Sequence, residues 1–181
     1  MSLELFQTDP IVLFFFLAFV CNNEEDELSA EDRRRRDRRT PRIAIRRYPQ
    51  SSFVYLFRSG SDQALLNCCG VDHKTFRVLL DLFEPKFHQY MPDEDTGLIR
   101  KVTLTKSGLP KGRKREVDAI GALGLVLFWF HTRGSVARAA PMAFGLTSTP
   151  LYKWLKFSRK ILCLCCKNIH KLWFPNQTKK K

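Results

Sequence analysis

Residues 117–130 read VDAIGALGLVLFWF, and the fold depends on this stretch. It contains no charged residue after Asp118, so a helix formed from it is apolar on nearly every side, as is typical of a helix buried in the middle of a domain. It is too short to cross a bilayer, which takes about 20 residues. We therefore expect a helix from Asp118 to Phe130 at the centre of a small, mainly α-helical domain.

The residues after this helix predict two more helices with a tight turn between them. Residues 135–144 read SVARAAPMAF, with Ser135 as a helix cap, and Pro141 predicts a kink or an early end. Gly145 favours a helix stop. Thr149 and Pro150 are typical of a cap followed by proline at the first helical position. We interpret residues 135–166 as a helix-turn-helix.

The last of these helices is amphipathic. At about 100° per residue, its lysines Lys153, Lys156, Lys160 and Lys167 fall on one side, flanked by Tyr152 and Arg159. Of these cations, we assign Lys153, Lys156, Arg159 and Lys160 to DNA contacts. In a recognition helix, lysines bind phosphates while the first residues enter the groove. Here those first residues would be Thr147, Ser148, Tyr152 and Lys153. The alternative is a surface helix with solvated lysines. The opposite, apolar side consists of Leu151, Trp154, Leu155, Ser158, Ile161, Leu162 and Cys165.

The charge of the chain is segregated along the sequence. The net charge is +13; residues 1–32 hold eight acidic and no basic residues, whereas residues 119–181 hold 11 basic and no acidic residues. A basic half of this kind usually meets a polyanion, which favours DNA as the partner. A solvated basic surface and a ribosomal-type accessory protein are the alternatives.

Two further basic segments precede the central helix. Residues 33–47 contain nine arginines and predict either a flexible basic arm or a nuclear-import patch, hence a nuclear protein. Residues 110–115, PKGRKR, predict a flexible tip that lies in a minor groove, an import signal or an ordinary solvated loop. The cations we assign to DNA from these loops are Lys111, Arg113, Lys114, Arg115 and, after the central helix, Arg133.

The N-terminal segment 11–21 (IVLFFFLAFVC) is apolar but short. No basic residue precedes it and no small-residue cleavage site follows, so a buried helix capped near Asp9 is favoured over a signal peptide. The competing interpretation, from a different functional class, is a membrane-associated or secreted protein that uses residues 11–21 and the arginine cluster at an anionic surface.

The middle of the chain predicts short capped helices. One spans Ser61–Cys69 and stops at Gly70; the next spans His73–Phe83 after the cap Asp72 and ends at Glu84-Pro85. Residues 53–57 predict a strand or a helical turn, and residues 99–105 predict one strand of a hairpin near 99–110. We expect the core face of the second helix to consist of Phe76, Leu79, Leu80 and Phe83.

The cysteines and histidines do not show the spacing that is typical of a metal-binding site. Cys163, Cys165, Cys166 and His170 are clustered, but no C-x-x-C spacing occurs, and Cys163 and Cys165 would lie about 200° apart on a helix. We expect reduced thiols, histidines in structural positions (His73, His88 and His131) and no cofactor.

Three segments together resemble a known family: DQALLNCCGVDHKTFRVLLDLF, GLPKGRKREVDAIGALGLVLFWFHTRGS and FGLTSTPLYKWLKFSRKIL. They are similar to the N-terminal region of PIF/Harbinger-type transposases, which belong to the DDE superfamily of endonucleases, over residues 60–165. The resemblance implies a helical DNA-binding region with a helix-turn-helix, followed in the family by a metal-dependent nuclease domain.

The chain departs from that family in its carboxylates. Strand cleavage needs three carboxylates that hold two divalent metals, and no Asp or Glu follows Asp118. We therefore expect a DNA-binding fragment that is not an enzyme; a nonfunctional transposon relic is a further alternative. The expected division is an N-terminal segment 1–32, an arginine-rich arm 33–52, a helical domain 53–170 and a basic tail 171–181.

Overall fold

The computed structural model describes residues 47–92, 99–103, 115–132 and 136–173, with backbone alone for 136–138 and 166–173. The described residues are mostly helical, which confirms the predicted mainly α fold. The expected N-terminal segment 1–32, residues 33–46 of the expected arm 33–52 and residues 174–181 of the expected tail 171–181 lie outside the described residues. The elements are a 3₁₀ turn Tyr48–Gln50, α1 Ser52–Ser59, α2 Asp62–Cys69, α3 His73–Gln89, β1 Tyr90–Pro92, β2 Ile99–Lys101, α4 Ala119–His131, α5 Val136–Phe144 and α6 Ser148–Trp173.

Helix α4 is the centre of the fold, as its sequence predicts. It packs against each of the other five α-helices of the described residues, and its residues 121–129 are all buried. Asp118 caps it, because its carboxylate accepts a hydrogen bond of 2.8 Å from the Gly121 N–H. The same carboxylate accepts the hydroxyl proton of Tyr48. Burial, together with that carboxylate, raises the pKa of the Tyr48 phenol, which therefore stays protonated.

Two aromatic rings lie directly on the backbone of α4. A Cβ atom on Gly121 would come well within 3.0 Å of the Tyr48 ring, and one on Gly124 would meet the Phe53 ring in the same way. The Phe53 side chain is 1% exposed and stacks at 4.6 Å on Phe144 of α5. The two glycines thus allow the 3₁₀ turn and α1 to approach α4 closely. Tyr48 belongs to the packed region, upstream of the expected domain start at 53.

Helices α2 and α3 begin at the predicted caps, and α2 also ends at the predicted glycine. The Ser61 hydroxyl accepts the Ala64 N–H at 3.3 Å, and the Asp72 carboxylate accepts the Thr75 N–H at 2.8 Å. Gly70 has a φ of 73° at the end of α2, the left-handed conformation that glycine adopts without strain. The open choice at residues 53–57 is resolved as helix, since they form part of α1.

Helix α3 does not end at Pro85, and this prediction was wrong. The helix continues to Gln89 with Pro85 in its interior. Because proline has no N–H, the Asp81 carbonyl lacks its usual helical hydrogen bond. Asp81 and Pro85 are both exposed, so water can bind that carbonyl. Phe87, two residues after Pro85, is fully buried and packs at 5.7 Å on Phe157 of α6. This burial offsets a proline cost of about 3 kcal/mol.

The predicted strand at residue 99 exists, but its partner lies upstream of it. Strand β2 pairs antiparallel with β1, with Tyr90 opposite Lys101. The predicted short β-hairpin is thus present as a two-stranded antiparallel sheet whose other strand is β1, and residues 104–110 lie outside the described residues. Because β1 follows α3 directly and also packs on α6, the strand pair is fixed beside both helices.

Helices α5 and α6 are joined by residues 145–147, in which Gly145 has a φ of 65°. Pro141 does not end α5, which continues to Phe144. Helix α6 begins at Ser148 and not after Thr149, so Pro150 is its third residue. The order of helix, tight turn and helix agrees with the sequence, whereas a DNA-binding helix-turn-helix remains a prediction.

Replacing Gly124 with Ala tests the close contact with Phe53. Ala favours helices by about 1 kcal/mol over Gly, but here its Cβ would overlap the Phe53 ring, and we expect a net loss of about 1–3 kcal/mol in the free energy of unfolding. Urea unfolding of Gly124→Ala, Phe53→Leu and the double variant gives the coupling. We expect the double variant to lose less than the sum of the two single losses; additive losses, or a stabilised Gly124→Ala, would contradict the contact.

Candidate nucleic-acid interface

Helix α6 is held to the core by one face. The seven residues predicted to form its apolar side are all buried. Trp154 contacts Phe87 of α3, with ring centroids 6.2 Å apart, and the Cys165 thiol lies 3.3 Å from the Leu82 carbonyl oxygen. The amphipathic pattern is thus confirmed, and it fixes the rotation of α6 about its own axis.

The opposite face of α6 carries the lysines. Lys156 is exposed, and Lys153 and Lys160, on the neighbouring turns, are half-buried. The aliphatic stems of half-buried lysines can lie along the protein surface while their ammonium groups reach water. The fourth lysine of the predicted face, Lys167, has no described side chain.

The first turn of α6 lies at the surface. Ser148 is exposed, and Thr147 and Tyr152 are half-buried. The Thr147 carbonyl accepts the Leu151 N–H at 3.0 Å, which makes Thr147 the N-cap residue, directly before the first residue of the helix. A helix N-terminus carries partial positive charge, which favours an approaching anion. These three residues and Lys153 therefore lie together at the N-terminal end of α6.

Arg159, which we assigned to DNA from the sequence, is largely buried. Its side chain is 7% exposed, and the guanidinium carbon lies 4.4 Å from the centre of the Trp129 ring. Such a contact joins α6 to α4 and is worth about 2 kcal/mol when water is excluded. Arg159 therefore stabilises the fold and leaves little surface for a phosphate.

Arg115 is likewise tied to the protein. Its guanidinium donates hydrogen bonds to the carbonyls of Phe87 at 2.6 Å and Tyr90 at 2.7 Å. It also lies 4.3 Å from the centre of the Phe87 ring. Desolvation by burial lowers the pKa of this arginine. Arg115 satisfies carbonyls at the end of α3, where the helix leaves them without partners. Its predicted companions Lys111, Arg113, Lys114 and Arg133 lie outside the described residues.

Histidines and carboxylates do not gather into a metal centre in the described ranges, where no group of three potential ligands occurs. His73 bridges helices: its Nε2 lies 3.0 Å from the Phe57 carbonyl oxygen, and its ring stacks on that of Phe57 at 5.0 Å. His88 lies 3.5 Å from Glu84, one turn away at the surface of α3. These contacts suit structural roles.

The described cysteines Cys68, Cys69, Cys163 and Cys165 are not in disulfide bonds. A hydrogen bond from Cys69 lowers the pKa of the Cys68 thiol, and the same interaction together with burial raises that of Cys69. Burial raises the pKa of Cys165 to about 12. Because the thiolate is the reactive form, these neighbours differ in nucleophilicity.

Comparisons with known proteins return nothing: no family model, no curated protein and no solved structure matches the chain. The resemblance to PIF/Harbinger-type transposases therefore stays a prediction. Within the described part of the chain, no helix is long and apolar enough to cross a membrane.

The sequence did not predict two exposed side chains on α1 that could contact a ligand. On α1, Tyr55 is 79% exposed and Arg58 is exposed beside it. A helical projection of residues 52–59 separates both from the buried Phe53, so the signal was present once a helix was assumed there. The contact between Arg159 and Trp129 had no such signal, because 30 residues separate them.

The positions of Arg159 and Lys156 on α6 predict opposite effects of truncation. Arg159→Ala removes a buried contact with Trp129 and should lower the free energy of unfolding by about 1–3 kcal/mol. Lys156→Ala, at an exposed position of the same helix, should change it by no more than about 0.5 kcal/mol. Urea denaturation followed by circular dichroism measures both. Equal effects of the two variants would contradict the buried position of Arg159.

Thiol alkylation tests the pKa differences. With iodoacetamide at neutral pH we expect Cys68 to be alkylated well before Cys69 and Cys165, since its pKa is lowered while theirs are raised. Peptide mapping by mass spectrometry over time follows each site. In denaturant the three rates should converge. Faster alkylation of Cys165 than of Cys68 in the native protein would be incompatible with the burial described.

Proposed function

We propose that the protein binds duplex DNA through a lysine face, defined as Lys153, Lys156 and Lys160 of α6, with the first turn of the helix directed to the groove. The observation that carries the proposal is the orientation of α6. One side is buried along its length from Leu151 to Cys165, so the side that bears the lysines is turned away from the core.

The charge around α6 supports a polyanionic partner. Residues 119–181 contain 11 basic residues and no carboxylate, so the half of the chain that contains α6 carries a high positive charge. Phosphates attract such a surface at long range, and their condensed counterions are released on binding. Arg159 is not part of the proposed face, because it is buried against Trp129.

The base of the basic loop lies beside this face. Arg115 and α6 contact the same side chain, Phe87: the guanidinium covers its ring, while Trp154 and Phe157 pack around it. On a helical projection Phe157 lies next to Lys153. Arg115, the last residue of PKGRKR, therefore shares its contact with the α6 residue that flanks Lys153. We include the predicted cations Lys111, Arg113 and Lys114 in the proposal as additional phosphate or minor-groove contacts.

The proposed activity is binding without catalysis. Lysine side chains would contact phosphates, which set affinity and register, and Thr147, Ser148 and Tyr152 would reach base edges. No carboxylate in residues 119–181 could hold catalytic metals beside the face. An origin from a Harbinger-type transposase and a nuclear location fit this activity, and both are part of the proposal.

A triple variant Lys153→Gln, Lys156→Gln and Lys160→Gln tests the lysine face. Each lysine that binds a phosphate contributes about 0.9 to the slope of log K against log salt concentration, so the slope should become shallower by about 2.7. Fluorescence anisotropy with a labelled duplex at several salt concentrations measures affinity and slope together. Glutamine keeps most of the side-chain length, so helix content should be unchanged by circular dichroism.

The matched control removes the same charge elsewhere. Lys74, Arg77 and Lys101 are exposed on α3 and β2, and a Lys74→Gln, Arg77→Gln and Lys101→Gln variant has the same net charge as the lysine-face variant. We expect its slope to remain within about 0.5 of that of the wild type. A lysine-face variant with unaltered slope, or equal changes in the two variants, would exclude the proposed face.

A further inference from the structure

We propose that α1 carries a second nucleic-acid contact, in which an unpaired base stacks on Tyr55 and the adjacent phosphate binds Arg58. This contact extends the proposed function from duplex to single-stranded nucleic acid and rests on it only in taking a nucleic acid as the partner. Tyr55 and Arg58 are not part of the lysine face. Experiments can therefore disprove the α1 contact without disproving duplex binding by α6, and the reverse.

The aromatic ring of Tyr55 is available to a ligand. The side chain is 79% exposed, more than any other exposed large hydrophobic side chain of the described residues, the next being Met142 at 56%. The neighbouring aromatic residues of α1 are occupied by the core: Phe53 stacks on Phe144, and Phe57 stacks on His73. Tyr55 thus presents a flat apolar surface to solvent that the fold does not use.

A cation lies within reach of the same ligand. Arg58 is exposed three residues after Tyr55, and side chains at this spacing are neighbours on a helix. The two residues border an open groove of about 360 Å³, and among the described residues that line it Arg58 is the sole charged group. Arg47, exposed just before the 3₁₀ turn, adds positive charge and is the last of the nine arginines between residues 33 and 47.

An exposed ring beside a guanidinium matches the chemistry of a nucleotide. Every base has a π face that stacks on an aromatic side chain, and the phosphate of the same nucleotide is a ligand for arginine. A paired base within a duplex is already stacked on both sides, so the ring selects unpaired nucleotides. An acidic peptide would use the charge of Arg58 but would not need the ring of Tyr55.

The test uses the full chain and a fluorescein-labelled oligothymidine of about 10 nucleotides, a length typical of single-strand sites. Tyr55→Ala should weaken binding by about 5- to 150-fold, the range found for loss of one stacked base. Tyr55→Phe, which keeps the ring, should retain the affinity. Arg58→Gln should make the salt slope shallower by about 0.7, the value for one phosphate of a single strand.

The control variant is Leu82→Ala, which truncates an exposed side chain on α3 and should leave oligothymidine binding unchanged. The lysine-face triple variant should also keep it, while losing duplex affinity. The proposal is overturned by unchanged oligothymidine affinity in Tyr55→Ala, by an equal loss in Tyr55→Phe or Leu82→Ala, or by polyglutamate that competes as well as the oligonucleotide. Loss of duplex binding alone in the triple variant leaves the α1 contact supported.

Discussion

The fold depends on the close approach of two aromatic rings to the backbone of α4. Gly121 and Gly124, one helical turn apart, leave room for the rings of Tyr48 and Phe53, which could not lie there over any side chain. Tyr48 also donates its hydroxyl proton to Asp118, the cap of the same helix. The start of α4 and the segment that leads into α1 are thereby fixed by a single set of contacts.

The same contacts determine where the charged face of α6 lies. Phe53 stacks on Phe144 of α5, and Phe144 in turn meets Phe128 of α4 at 5.6 Å. These ring contacts fix the position of α5. Because only three residues join α5 to α6, the start of α6 must lie close to the end of α5. Trp129 of α4 then holds Arg159 of α6. Packing around α4 therefore turns the lysines of α6 outward, and no interaction among the lysines themselves is needed.

Local signals predicted much of the fold, whereas tertiary contacts decided the rest. Caps such as Ser61 and Asp72 act within one turn of the chain and could be predicted from neighbouring residues. Pro85 was misinterpreted as a helix end, and of the two outcomes predicted for Pro141, a kink or an early end, the early end was wrong. The burial of aromatic residues beyond each proline outweighs its local cost. The helical projection placed the lysines correctly but not Arg159, since a projection contains no information about the ring of Trp129 on another helix.

The most direct test of the central claim, that α6 is the duplex-binding element, is an NMR titration of the labelled protein with a DNA duplex at two salt concentrations. The account predicts that shift changes are concentrated in residues 147–160 and weaken as salt rises, with little change around Lys74 and Arg77 on α3. Uniform changes over all basic residues, or changes centred on α3 with α6 unaffected, would contradict it.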